Sequence, residues 1–273
     1  PLKKARNLME AKKWKEALAQ TQEVAAMPGK TPAEEAIINE MLAYCMMNLQ
    51  DHTGAVAVYE KMLAANQFKT EDIPKRLLTI SQLHLSVKNY PKSIQYAELY
   101  LEKNSGDLDA MRQLAETYYL NNDFARAETT TQTLLTSAQK QGVAVKEEWL
   151  KLLLSAQYKQ DKKPEIIATL ERLLASFPND QYWSNMFTYA SDASFSDRQI
   201  MIYLRLMHDR GLMKTNEYIE MAELALAVEA LGAEPVEQLV DLLVDVAPPR
   251  GYPPPPSGFL DFGTAWRTFQ EAA

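Results

Sequence analysis

The side chains best suited to acid–base, nucleophilic or metal chemistry near neutral pH are histidine, cysteine and clustered carboxylates, and this chain is poor in the first two. Its histidines are His52, His84 and His208. No two lie three or four residues apart, so no helix can present a metal-binding pair. His84 falls on a helical apolar pattern and reads as a packed histidine, while His52 sits in a turn and His208 near a helix end. Cys45 is alone, which rules out an intrachain disulfide. It has no neighbour to make it a nucleophile and reads as an ordinary helix residue. Asp261-Phe262-Gly263 copies a metal-binding tripeptide of protein kinases, but the chain lacks the glycine-rich and catalytic loops that must accompany it. The spacing from Gly258 to Gly263-Thr264 copies a phosphate loop without the lysine that reaches the phosphates. We read both as coincidence. No catalytic residue, metal, cofactor or enzymatic activity is expected.

With chemistry set aside, the elements come forward. In Leu114-Ala115-Glu116-Thr117-Tyr118-Tyr119-Leu120, the residues Leu114, Ala115 and Tyr118 share one helical face. Asn121-Asn122-Asp123 is a turn cluster that stops this helix, because short polar side chains bond back to the backbone. Phe124 opens a second helix, and Ala127 follows where a larger side chain would push the two apart. The pattern recurs. The small residue of each second helix falls at Ala17, Ala55, Ser93, Ala127 and, as Ile, at Ile166, in steps of 38, 38, 34 and 39. The turn aromatic recurs as Trp14, Tyr90 and Phe124, with His52 and Lys162 in its place elsewhere. The first-helix apolar–small pair recurs as Leu42-Ala43, Ile80-Ser81 and Leu114-Ala115, and in the fifth unit we align Leu152-Leu153 with it. Thr31-Pro32, Ile73-Pro74, Tyr90-Pro91 and Lys163-Pro164 put proline near helix starts, where its missing N–H does no harm.

This pattern resembles the tetratricopeptide repeat, a helix pair that buries its apolar face only by stacking on its neighbours. The resemblance implies an all-α fold: a right-handed superhelical solenoid of about seven helix pairs. Five repeats span 1–178, closed by Phe177-Pro178, and degenerate helical pairs span 179–246. In that stretch Trp183, Phe187 and Ala190 make one stripe and Ile200, Tyr203, Leu204 and Met207 another. Ser196-Asp197 reads as the N-cap of the second stripe and Gly211 as its end. Tyr218, Met221, Ala222 and Ala225 then restart a first-helix pattern, with Val236, Leu239, Val240 and Leu243 as its partner. The resemblance also implies that first helices line a concave groove. Matched to the fourth repeat (Asp109, Arg112, Glu116, Tyr119), the lining is Glu40, Tyr44 and Met47 in the second unit and Leu78, Gln82 and Leu85 in the third. In the fifth it is Leu150, Leu154, Gln157 and Tyr158. Family members that bind chaperones grip a terminal carboxylate with Lys and Asn at such places. Glu, Leu, Gln and Tyr stand here instead, so that role is not expected. An aromatic, aliphatic and mildly acidic groove suits an extended or helical peptide with apolar side chains and a basic residue.

Residues 247–273 are different in kind. Six of the 14 prolines fall between Pro248 and Pro256, a stiff polyproline spacer. Phe259, Phe262, Trp266 and Phe269 then follow at steps of three, four and three, an aromatic terminal helix interrupted by Gly263. This tail has three readings: a cap on the solenoid end, an occupant of the groove of its own or a neighbouring chain, or a docking element for a partner. Self-association through it is the structural alternative to peptide binding. A small apolar ligand held by Trp183, Phe187 and the tail aromatics is a third.

Composition limits the partners. The 273 residues carry a net charge of −7, which disfavours nucleic acid and anionic membranes. No run of about 18 apolar residues exists to span a membrane. Only 9 glycines favours long helices. Residues 1 to about 230 also resemble exported bacterial tetratricopeptide proteins associated with TonB-type uptake systems. The segments that carry this likeness are Pro28-Gly29-Lys30-Thr31-Pro32 with Glu34-Glu35, Tyr182-Trp183, Phe195-Ser196-Asp197-Arg198, and Glu217-Tyr218 to Leu224. That resemblance implies a periplasmic scaffold with a protein partner, and an opening Pro1 rather than Met is compatible with a removed leader.

Overall fold

The computed structural model describes residues 1–192 and, beyond them, residues 200, 201, 204, 205, 207, 208, 211, 220, 221 and 224. Among these residues there are eleven α-helices and no strand. They are α1 (Leu2–Glu10), α2 (Trp14–Ala26), α3 (Pro32–Asn48), α4 (His52–Ala64), α5 (Ile73–Ser86), α6 (Tyr90–Leu101), α7 (Leu108–Leu120), α8 (Phe124–Lys140), α9 (Glu147–Lys159), α10 (Lys163–Ser176) and α11 (Asp180–Asp192). The chain divides into two compact units, 1–161 and 162–273.

In the first unit each helix packs on the one before it, from α1 through α9, and α7 also meets α9. Small residues set the closest approach within each pair. Ala17, Ala55, Ser93 and Ala127 of the second helices are all fully buried, as are Ala5, Ala43, Ser81 and Ala115, each twelve residues earlier in the first helix. Where serine replaces alanine the pair is satisfied internally: Ser81 Oγ donates to the Ser93 carbonyl at 2.8 Å. Larger residues fill the space between pairs. Ile80, Leu83, Val56 and Tyr59 form one cluster, and Ile94, Ala97, Leu114 and Tyr118 belong to the next.

The turn inside each pair has one construction. Lys12, Gln50, Lys88, Asn122 and Asp161 adopt left-handed backbone, with φ of 57°, 60°, 58°, 59° and 53°. They repeat in register with the small residues of the second helices. In the first four, this residue closes the first helix by donating to the carbonyl three back, and the next residue donates five back. Asn122 N–H reaches the Tyr119 carbonyl at 3.0 Å and Asp123 N–H the Tyr118 carbonyl at 2.9 Å. In the second, third and fourth pairs that next residue also caps the second helix through its side chain. Asp51 accepts from Gly54 N–H at 2.9 Å, Asn89 from Lys92 N–H at 3.4 Å and Asp123 from Arg126 N–H at 3.1 Å. Prolines fall at helix starts in α3, α5, α6 and α10, and Thr31 with Glu34 forms a capping box before α3.

The fifth-unit alignment needs one correction. Leu153 and Leu154 are the buried pair, at 2% and 5% exposure, while Leu152 is half-buried. The step of 39 moves the register one residue on, to the position of Leu114-Ala115.

In the second unit α10 packs on α11. Phe187 of α11 joins Ile200, Leu204, Met207 and Met221 in one buried cluster, bringing together the two stripes read from sequence. Gly211 has a φ of 65° and its N–H donates to the His208 carbonyl at 2.8 Å, a helix-end geometry. Ser196-Asp197, Tyr203, Tyr218, Ala222, Ala225, the stripe from Val236 to Leu243 and the whole of 248–273, with Phe259, Phe262, Trp266 and Phe269, lie outside the described residues. No described helix is long and apolar enough to cross a membrane.

Candidate binding face on the first helices

The first helices of the first unit form a connected layer. Glu40 of α3 accepts from Arg76 of α5 at 2.6 Å, Gln113 of α7 donates to Ser81 of α5 at 3.2 Å, and α7 packs on α9. This layer carries most of the residues expected to line a groove. Tyr44 is 48% exposed and stands with its ring edge against Trp14, centroids 5.6 Å apart. Tyr119 is half-buried and meets Phe124 in the same way at 5.3 Å. Met47, Leu78 and Leu85 are half-buried, and Gln82 is exposed. Edge-on aromatic pairs hold the two tyrosine rings in place without covering them.

Two carboxylates of this face, Glu40 and Glu116, are paired within the chain. Glu40 is held by Arg76, whose guanidinium also lies over the Phe68 ring at 5.4 Å and the Tyr59 ring at 5.8 Å. Arg112 and Glu116, one turn apart on α7, pair at 2.6 Å. The acidity read from Glu40 and Glu116 is therefore neutralised locally, while Asp109 of α7 is exposed and leaves one acidic group beside the apolar contacts. Exposed ion pairs of this kind contribute roughly 0–1 kcal/mol to stability.

Three expected positions, Leu150, Leu154 and Gln157, do not reach the surface. Leu154 is 5% and Gln157 2% exposed. Both belong to the packed side of α9 because of the one-residue register shift, and Leu150 is buried with them. Tyr158, in register with Tyr119, is half-buried. Two apolar residues that the repeat pattern does not single out lie exposed on the same helices: Ile37 on α3 at 40% and Leu120 on α7 at 48%. Their positions carry a signal all the same, since Ile37 precedes Glu40 by one helical turn and Leu120 adjoins Tyr119.

The chemically capable side chains are placed elsewhere. Cys45 is fully buried, and burial raises its thiol pKa, which keeps it protonated. His84 is buried in a helix contact, as its position in the apolar pattern implied. Among the described residues no three His, Cys, Asp or Glu side chains gather to hold a metal ion.

A family model described as "Tetratricopeptide repeat" matches residues 2–69, which contain the first two helix pairs. Among curated proteins none matches the sequence significantly. Several solved structures also match the chain. The C-terminal part of a repeat-containing protein from Cytophaga hutchinsonii is 12% identical, with 88% of this chain and 98% of that one covered and a TM-score of 0.49. A tetratricopeptide repeat protein from Parabacteroides merdae is 12% identical, covering 89% and 97%, at 0.46. A structure titled MamA is 13% identical, covering 70% and 96%, at 0.46.

Proposed function

We propose that the chain is a non-enzymatic scaffold that binds a protein or peptide partner on the first-helix layer of α3, α5 and α7. The observation that carries this reading is the apolar surface of that layer: Ile37, Tyr44 and Leu120 are exposed while the small-residue columns beneath are closed. Exposed apolar groups cost free energy in water, and Ile37 and Tyr44, seven residues apart, share one face of α3. Glu40 and Glu116, already paired within the chain, orient rather than attract. The occupant that fits is an extended or helical segment with apolar side chains along one edge. Met47, Leu78, Gln82, Arg112 and Tyr119 complete its lining, Tyr158 extends it onto α9, and Leu154 and Gln157 take no part in it. The likeness to exported bacterial repeat proteins supports a periplasmic setting for this scaffold.

The test is recovery of a partner from periplasmic and cytosolic extracts by the full chain and by Tyr44→Ala with Tyr119→Ala. Truncating a central aromatic contact of this kind weakens binding by about 2 kcal/mol, roughly thirtyfold. The double variant is expected to lose the partner while keeping its helical circular dichroism. Undiminished recovery removes the reading, and a partner recovered from cytosol alone removes its periplasmic part.

A further inference from the structure

Glu60 of α4 is met by three donors from the following helix pair, all on one oxygen. Lys92 Nζ approaches Oε1 at 2.6 Å, the Tyr96 hydroxyl at 3.1 Å and His84 Nε2 at 3.2 Å. His84 is 2% exposed and lies flat on Tyr96, ring centroids 5.6 Å apart and planes within 4°. Its Nδ1 is buried without a hydrogen-bond partner. The next joint along repeats the arrangement with other residues. Glu98 of α6 accepts from the hydroxyl of Tyr118 in α7, with Arg126 of α8 at 3.7 Å. Glu98 follows Glu60 by 38 residues, and Tyr118 and Arg126 follow His84 and Lys92 by 34 each, the steps of the repeat itself. A carboxylate, a ring and a cation thus occupy the same three places twice. Only the first ring can titrate in mild acid.

In the neutral ring Nε2–H donates to Glu60 and Nδ1 is a buried lone pair. A second proton would create a buried N–H with no acceptor, which is costly. The charged and titratable groups facing the ring are Glu60 from α4 and Lys92 and Tyr96 from α6. Glu60 favours the proton, but that carboxylate already holds Lys92. Burial first, with Lys92 adding to it, leaves the His84 pKa below its ordinary 6.5. Burial alone would raise the Glu60 carboxyl, and the bonds from Lys92, Tyr96 and His84 overcome this and hold it low. The unfolded or opened chain therefore takes up the His84 proton at higher pH than the closed one. Stability at this joint is complete above the ordinary histidine value and falls as pH drops through it toward the lower folded value.

We propose that the joint between the second and third helix pairs is an acid-responsive hinge, in which proton uptake by His84 is coupled to release of α5 and α6 from Glu60 of α4. The Glu98–Tyr118–Arg126 joint stays closed over the same range. The hinge does not depend on what the first-helix face binds. Hydrogen exchange of the full chain, corrected for intrinsic rates, at about pH 7.5 and about pH 5.5 brackets the ordinary histidine value. Amides of α4–α6 are expected to lose protection at the lower pH while those of α7 and α8 keep theirs. His84→Tyr, which installs the ring found at Tyr118, is expected to abolish the difference. Equal loss across both joints, or loss that persists in H84Y, overturns the proposal. If the variant does not fold, the titration of the three histidine rings by NMR in the unaltered chain decides. A His84 midpoint below the ordinary value supports the hinge, and one at or above it refutes the hinge.

Discussion

The left-handed turn residues give a stability prediction that can be worked from the backbone alone. Lys12, Gln50 and Lys88 are exposed and hold φ near 60°. An ordinary L-residue pays roughly 1–2 kcal/mol for that conformation, because its Cβ crowds the following carbonyl. Glycine avoids this, but it also gains about 0.4–1 kcal/mol of freedom in the unfolded chain. The difference runs from about zero to about 1.6 kcal/mol, and toward its lower end we take about 0.5 kcal/mol of net stabilisation per site for Lys12→Gly, Gln50→Gly and Lys88→Gly. The three sites share no hydrogen bond or ion pair, so their effects add to about 1.5 kcal/mol. That corresponds to a rise of roughly 3–6 °C in melting temperature for a chain of this size. Asn122 has the same φ of 59° but is a residue type that tolerates it, so Asn122→Gly is expected to change little. Thermal and urea unfolding of the triple variant and of N122G form the assay. A triple variant no more stable than the parent, or an N122G gain as large as that of K88G, would show that the turns are not strained as described.

Ala127 and Gly54 probe the packing and the caps. Ala127→Leu forces a large side chain into a fully buried contact and is expected to lower stability by about 1–3 kcal/mol in urea titration, whereas Ala125→Leu, exposed two residues away, stays within about 0.5 kcal/mol. Replacing a helical glycine by alanine normally gains about 1 kcal/mol. Gly54→Ala is expected to gain nothing in the same measurement, because the new Cβ would lie 2.9 Å from Asp51 Cγ and 3.0 Å from Met46 Sδ and displace the Asp51 cap.

What is legible in the sequence follows from where residue size and backbone conformation leave a mark. The steps between Ala17, Ala55, Ser93 and Ala127 reveal the pairing, since only a small residue fits where two helices come closest. Asn121-Asn122-Asp123 announces its turn through residue type. The equivalent turns at Lys12, Gln50 and Lys88 do not, because lysine and glutamine carry no preference for φ near 60° and are placed there by the helices on either side. The fifth unit misleads for a similar reason. Leu152, Leu153 and Leu154 are identical side chains, so no size contrast marks which two face inward, and Leu154 and Gln157 fall to the wrong side of α9 when aligned by sequence. The pairing of Glu40 with Arg76, 36 residues away, leaves no local trace, and with it the neutralisation of Glu40 is hidden.

The fused turn also dictates where this chain can change length. Each turn inside a pair is three residues long: 11–13, 49–51, 87–89, 121–123 and 160–162. Its last residue in the second, third and fourth pairs closes one helix and starts the next, so no position is spare. The links between pairs in the first unit run instead over 27–31, 65–72, 102–107 and 141–146, from five to eight residues. Growth by insertion is thereby confined to one of the two kinds of junction. An inserted residue is expected to be absorbed in a link between pairs and to break the pair when placed inside its turn.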